Sequence, residues 1–193
     1  DLDAGGAITI NSDADVDATD GSISFSSTID GGQSLTLNAD AGNVTVSGAI
    51  GGTTALTTLT ISGNNISVND IGDGGAGVTG NTNITAANQL TFTGTTYNAN
   101  QQTYTAASGN NFLINGGATT FTSSGDDITF NTGTILLADG SDLTITTGAG
   151  VGGNISTGVI RGNSAEDINF NAGTGNVYVW DIGSGDQIET VSL

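Results

Sequence analysis

Short runs of alternating apolar and polar residues recur along the whole chain. In each run a turn residue precedes an apolar–polar–apolar triplet, as in Gly42-Asn43-Val44-Thr45-Val46. Alternation with a period of two places both apolar side chains on one side of a β-strand. Similar units occupy residues 21–25, 65–68, 89–92, 111–114 and 176–179. The pattern predicts many short strands, each with one buried and one exposed face.

The triplets return at a nearly constant interval. One series has a mean spacing of 22 residues and comprises Ile23, Val44, Ile66, Leu90, Phe112, Ile135, Ile155 and Val177. A second series repeats every 21 residues and comprises Ile29, Ile50 and Ile71. A third, looser series comprises Leu35, Leu59, Ile84, Tyr104, Ile128, Leu143 and Ile168. Three strands in about 22 residues are too short for a propeller blade, which needs about 40 residues, and leave no room for βαβ helices.

We therefore expect an all-β fold, a parallel β-helix (β-solenoid) with about 22 residues per coil and about eight coils. It would extend over residues 1–193 as a single segment, a rod about 40 Å long at about 4.8 Å per coil. Threonines that alternate with apolar residues, as in Leu35-Thr36-Leu37, would point outward. A sandwich of short antiparallel strands has similar turn signals and is the alternative. The near-constant interval favours the solenoid.

Composition and charge agree with this interpretation and exclude several functions. The chain has 32 Gly, 31 Thr and 20 Asn, and no Pro, Cys or His, and these abundant residues favour turns and strands. Its recurring β-branched runs and 35% hydrophobic content argue against disorder. The net charge of −18, with Arg161 as the only base, argues against nucleic-acid binding. The absence of an 18-residue apolar run argues against a membrane span.

Several units resemble the repeats of filamentous-haemagglutinin-type exoproteins, which are very large Gram-negative adhesins. The clearest are residues 32–39 (GQSLTLNA), 42–52 (GNVTVSGAIGG) and 53–61 (TTALTTLTI). The resemblance implies a right-handed parallel β-helix, export to the cell surface and a role in adhesion or cell–cell contact. The secretion domain at that family's N-terminus is not recognisable here, and the chain begins in mid-pattern with Asp1-Leu2-Asp3. We interpret the chain as a shaft segment excised from a longer repeat protein.

The resulting expectation is a secreted, extracellular, non-enzymatic shaft or adhesive segment of a bacterial surface fibre. Its partners would be host-cell, neighbouring-cell or matrix surfaces, contacted through the parent protein, and its cut ends would associate end to end. The alternative is a carbohydrate- or protein-binding β-helix module with its own binding face. The candidate ligand face is Tyr178 and Trp180, because both lie opposite Val177 and Val179 in a strand. Burial of the two rings under a further coil or a cap is the competing interpretation.

The densest acidic run, residues 13–21 (DADVDATDG), has the carboxylate spacing with which an EF-hand loop begins. Ala18 stands where that loop needs Gly, and Ser24 stands where it needs a bidentate Glu. We expect instead a strand with its acidic side chains outward. Weak Ca²⁺ binding remains open where stacked coils bring carboxylates together, no other cofactor is expected, and folding should not require calcium. The candidate ligands are Asp13, Asp15, Asp17 and Asp20.

Motifs for catalysis, phosphate binding and ice binding are weak in this sequence. A β-helical polysaccharide lyase needs bases, and Arg161 is the only one. The candidate carboxylate pairs for hydrolysis, Asp126-Asp127 and Glu166-Asp167, are adjacent in sequence and would point to opposite faces of a strand. The glycine-rich stretches 72–77 and 148–150 lack the Lys and helix of a phosphate loop, and 72–77 is a predicted loop. Ice binding is disfavoured because Thr57-Thr58 and Thr119-Thr120 are not part of a Thr-x-Thr unit that recurs in register.

Overall fold

The computed structural model describes residues 2–75, 77–148, 150, 152–183 and 188–193. Over these residues the chain is a β-solenoid of about eight stacked coils and contains no α-helix. Every pairing between described strands is parallel, which excludes the antiparallel sandwich. None of the described segments is a helix of the length and apolarity that crossing a bilayer requires.

The strands lie on three faces of the rod, and in two coils face B has only an isolated bridge, at Ile50 and at Ile71. Face A contains β1 (Leu2–Ala4), β4 (Ile23–Phe25), β7 (Val44–Val46), β9 (Ile66–Val68), β11 (Leu90–Phe92), β14 (Asn111–Ile114) and β17 (Thr134–Leu137). Face B contains β2 (Ile8–Thr9), β5 (Ile29–Asp30), β12 (Thr96–Asn98), β15 (Thr119–Thr122), β18 (Leu143–Thr146), β20 (Glu166–Asn171) and β22 (Ile188–Ser192). Face C contains β3 (Ala14–Asp17), β6 (Ser34–Asn38), β8 (Thr58–Gly63), β10 (Thr82–Ala86), β13 (Gln102–Ala106) and β16 (Ile128–Asn131). Two longer strands run across from face C to face A: β19 (Ile155–Arg161) and β21 (Val177–Ile182).

The first predicted series is confirmed over most of face A. From Ile23 to Ile135 each residue pairs with its equivalent one coil away and is buried. The last two positions are wrong, because Ile155 and Val177 belong to face C. Ile135 pairs instead with Ile160. The error arises because β19 passes the corner as one continuous strand, so its first apolar residue is not its face A residue.

The second predicted series is confirmed on face B. Ile29, Ile50 and Ile71 stack in parallel, and the ladder continues into Tyr97. A glycine with positive φ follows Ile50 and Ile71 directly, at Gly51 (65°) and Gly72 (85°). Because a side chain there would be strained, glycine fixes the bend after each isoleucine.

The third predicted series mixes two faces and two ladders. Leu35 and Leu59 do pair, but the next inward positions in their ladder are Thr82 and Gln102. Ile84 and Tyr104 lie two residues further along the strands, and Leu143 and Ile168 lie on face B. Sequence reasoning missed this register because two polar residues occupy buried positions.

The interior is continuous and holds an aromatic cluster at its centre. Tyr97 and Phe121 stack with ring centroids 4.6 Å apart and an interplanar angle of 15°. The remaining contacts of the cluster are mostly edge-to-face, the arrangement that aromatic quadrupoles prefer. Its members are Phe92, Tyr97, Tyr104, Phe112, Phe121 and Phe130.

Most polar groups within this interior are paired, although the buried Thr82 hydroxyl has no hydrogen-bond partner among the described residues. The Tyr104 hydroxyl donates to Gln102 Oε1 at 2.8 Å, and Gln102 Nε2 donates to the Thr122 carbonyl at 2.6 Å. Burial raises the pKa of Tyr104 well above its usual value. Burial also raises the pKa of Tyr97, outweighing the hydrogen bond from the Gly94 N–H. Both phenols therefore stay protonated, and both donate hydrogen bonds to groups around them.

Ladders of asparagine link successive coils at two different corners. Between faces C and A, Asn65 donates its backbone N–H and Nδ2 to Asn43 Oδ1, and Asn88 Nδ2 donates to Asn65 Oδ1 at 2.7 Å. Between faces B and C of the later coils, Asn154 donates to Asp127 Oδ1 and Asn176 donates to Asn154 Oδ1. The asparagines near the turns thus satisfy backbone groups of the neighbouring coil.

Candidate functional site

The outer surface of face C carries one unbroken column of polar side chains. Because alternate residues of a strand point outward, the middle outward residue of each rung stacks on its equivalent in the next. The column ends in an aromatic residue and comprises Thr36, Thr60, Asn83, Thr103, Thr129, Ser156 and Tyr178. A second outward column beside it comprises Asn38, Ser62, Thr85, Thr105 and Asn131.

Charge is absent from most of this surface. The outward strand residues of face C between Ser34 and Ser156 include neither an acid nor a base, although the chain as a whole has a net charge of −18. Acidic side chains flank the columns at β3, where Asp15 and Asp17 pair with Thr36 and Asn38. The face therefore changes from acidic to neutral and polar, and then to aromatic, along the rod.

Tyr178 and Trp180 form the aromatic end of face C. They alternate with Val177 and Val179 in β21, and the fractional exposures of the two aromatic side chains are 56% and 88%. The predicted orientation opposite the two valines is confirmed. In the described chain neither ring is covered by a further coil or a cap.

A shallow depression lies beside the two rings. It is lined by Ser156, Thr157, Val177, Tyr178, Val179 and Trp180. Strand β19 pairs Thr157 with Val179 and Val159 with Asp181, and Gly158 stands between these pairs. The depression therefore adjoins both aromatic side chains and Ser156.

Two of the four candidate calcium ligands lie in strand β3, while Asp13 precedes the strand and Asp20 follows it in a turn. Asp15 and Asp17 are exposed, while Ala14 and Val16, which alternate with them, are half-buried. Asp13 accepts a hydrogen bond from the Ser34 N–H at 2.8 Å, and Asp20 has a positive φ of 56° after the strand. The outward orientation is confirmed for the strand residues. Within the described ranges no three acidic side chains converge as a metal-binding group, and weak calcium binding stays a prediction.

One carboxylate of each candidate catalytic pair, Asp127 and Glu166, accepts hydrogen bonds that hold the fold. Asp127 Oδ1 accepts from the Asn154 N–H at 2.6 Å. Glu166 is fully buried while Asp167 is exposed, so this pair points to opposite sides as predicted. Burial acts to raise the pKa of Glu166, but hydrogen bonds from the Ser164 N–H and hydroxyl and the Asn163 N–H outweigh it and lower that pKa. This arrangement stabilises the charged Glu166 carboxylate, which holds the turn before β20 through these hydrogen bonds.

Other acids not singled out by sequence reasoning have the same role. Asp70 Oδ1 accepts the backbone N–H groups of Thr95 and Thr96 at 2.7 and 2.8 Å, and Asp30 accepts those of two residues in the next coil. Arg161 is exposed at the end of β19, where its strand position pairs with Leu136 of face A. Several acids therefore stabilise the corners between coils.

The prediction that no Thr-x-Thr unit recurs in register is wrong on face B. Thr120 and Thr122 of β15 pair with Thr144 and Thr146 of β18. These units were not recognised from the sequence because they lie 24 residues apart and belong to none of the three predicted series. By contrast, Thr119 of the Thr119-Thr120 pair is buried.

The predicted loop at 72–77 contains turns at the described positions, while Ala76 and Ala149 of the two glycine-rich stretches lie outside the described residues.

Neither a protein-family profile, nor a curated protein, nor a solved structure matches the chain. The resemblance to filamentous-haemagglutinin-type repeats therefore stays a prediction.

Proposed function

We propose that the chain is a shaft segment of a large secreted bacterial surface fibre that mediates attachment or cell–cell contact. The observation that carries this proposal is the uniform stack of parallel coils. Each coil contacts mainly its neighbours, so added coils lengthen the rod without a new core. At about 4.8 Å per rung, about eight coils span roughly 40 Å.

The surface chemistry supports a spacer in water. Most large apolar side chains in the coils from Ile23 to Phe170 are buried, with Leu113, Leu136 and Val159 half-buried, and the outer strand positions are mainly Thr, Ser and Asn. The net charge of −18 opposes lateral association of parallel rods. In the parent protein the rod would hold a binding region away from the cell, toward a host cell, a neighbouring cell or the extracellular matrix.

The spacer role is testable on living cells. The chain is inserted between an outer-membrane anchor and a biotin-acceptor peptide, and capture of streptavidin-coated beads is measured on bacteria with long surface polysaccharide. We expect capture to rise relative to the anchor and peptide joined directly. The matched control is Phe121→Asp, which places a charge in the aromatic interior and abolishes the rod. Equal capture with and without the chain contradicts the proposal.

A second candidate is a binding module that uses its own face. The observation that favours it is the exposure of Tyr178 and Trp180 on one strand, because exposed aromatic side chains are enriched at binding surfaces. Beads coated with the chain should then attach to target cells, and Trp180→Ala should abolish that attachment. Attachment that is absent, or independent of Trp180, contradicts this candidate and leaves the shaft unaffected.

A further inference from the structure

We propose that the C-terminal end of face C binds a neutral saccharide, whose rings stack on Trp180 and Tyr178 and whose hydroxyls pair with the polar column that leads to them. This inference rests on the second proposed function, binding through the chain's own face, and is independent of the shaft.

The aromatic part of the site is a platform open to solvent. Trp180 is 88% exposed and is the only Trp of the chain. Exposure of the apolar indole surface to water is unfavourable, and a ligand that covers the ring removes that surface from water. The face of an aromatic ring carries partial negative charge, which attracts the polarised C–H groups on one side of a sugar ring. Two such rings separated by one residue on a strand offer stacking surface for neighbouring sugar units.

The polar part of the site continues in register from the platform. Ser156 pairs directly with Tyr178, and Thr129 pairs with Ser156 on the next rung. Hydroxyl groups both donate and accept hydrogen bonds, as sugar hydroxyls do. The shallow depression beside the two rings allows a bulky sugar ring to approach both the aromatic rings and Ser156.

Charge decides which class of saccharide fits. The outward positions from Ser34 to Ser156 carry no base that could pair with a uronate or sulfate. The net charge of −18 repels anionic polymers. A protein partner would more often be matched by an Arg or a larger apolar patch. The hydroxyl and amide column that leads to the two aromatic rings is uncharged, and Asp181 beside Trp180 adds only negative charge, so the site favours a neutral hexose or pentose polymer.

The single tryptophan provides a direct assay. Trp180 emission is measured while dextran, laminarin, galactomannan or neutral xylan is added, with hyaluronan as the anionic control. We expect a saturable blue shift with at least one neutral polymer and none with hyaluronan. Titration calorimetry then compares variants, since Trp180→Ala removes the fluorescent reporter. Trp180→Ala and Tyr178→Ala should each weaken binding by about tenfold or more, while Tyr178→Phe keeps the ring and stays near the parent affinity.

The polar column is tested with a matched pair of threonines. Thr129→Ala on face C should weaken binding by about threefold to tenfold, by loss of one hydrogen bond. Thr144→Ala removes the same groups from face B and should leave the affinity unchanged. Because all these side chains point outward, circular dichroism should show the same fold for each variant.

Several results would overturn the proposal. The first is that none of the four neutral polymers gives a saturable shift. The others are that hyaluronan binds equally well, or that binding survives Trp180→Ala. If the polymers fail while beads coated with the chain still attach to cells through Trp180, the saccharide is the wrong ligand and own-face binding stands. If both fail, the binding-module candidate fails with it.

Discussion

The central coils (residues 90–145) and the C-terminal coil (residues 177–183 and 188–192) use the same strand pattern but bury their apolar residues to different depths. In the central coils Phe121 is fully buried and touches four other rings. In the C-terminal coil the inward residues Val177, Val179 and Ile188 are only half-buried. Their strands have a described partner on one side only, at β19 or β20. The difference shows that cohesion in this fold comes from having a neighbour both above and below.

The comparison predicts a large loss of stability at the centre. Phe121→Ala should lower the free energy of unfolding by about 3–5 kcal/mol, because it leaves a cavity among rings that cannot collapse freely. Val179→Ala, in the half-buried end, should cost about 1 kcal/mol, since less apolar area is lost. Urea titrations followed by far-ultraviolet circular dichroism measure both values. Equal losses would mean that the two regions are equally well packed.

An intermediate effect is expected at Glu166, whose carboxylate accepts hydrogen bonds from the turn that precedes β20. The pKa of this carboxyl is lowered in the folded chain, so its stabilising contribution is present above the unfolded pKa. That contribution is lost as pH falls through the folded pKa. Glu166→Gln should therefore cost about 1–3 kcal/mol at neutral pH, through hydrogen bonds to a charged acceptor. The difference from the parent chain should shrink in acid.

Glu189 supplies the matched control for this measurement. It is the only other Glu of the chain and is exposed on β22. Glu189→Gln should change the unfolding midpoint little at any pH. If both variants behave alike across a series of denaturant titrations from neutral pH to acid, the loop hydrogen bonds of Glu166 contribute nothing.

The smallest effect concerns association of the 193-residue chain with itself. We expect the half-buried residues and unpaired strand edge at the C-terminal coil to meet the β1–β3 edge of a second copy, which is a heterologous contact. Repulsion from the net charge of −18 opposes it, and salt screens charges beyond about 10 Å at 0.1 M. Light scattering should therefore rise with sodium chloride from about 10 mM to 1 M. A constant monomer mass over that range would contradict end-to-end contact.

The sequence allowed the fold to be predicted where each coil had an apolar residue and a turn residue in equivalent positions. That condition holds from Ile23 to Ile135, and the stacking there matches the prediction. It fails at β19, because the chain crosses a corner without a turn. It also fails at Thr82 and Gln102, because the alternation pattern assigns polar residues to the exposed face whereas these two side chains are buried.

The candidate site was only partly predictable for a related reason. Strand alternation alone indicated that Tyr178 and Trp180 share a face. Their alignment with Thr129 and Ser156 depends on the length of two complete coils, which a one-residue error would change. The in-register threonines of face B were missed for the same reason.

The asparagine ladder between faces C and A constrains how the repeat region can lengthen by gene duplication. Asn65 both accepts from the following coil and donates to the preceding one through the same kind of bond. Duplication of one whole coil in the reading frame would insert another asparagine that makes the same two bonds. Duplication of any other length would leave an amide without its neighbour. The corner thus favours lengthening by whole repeats, so that the length of the solenoid could change in increments of one coil.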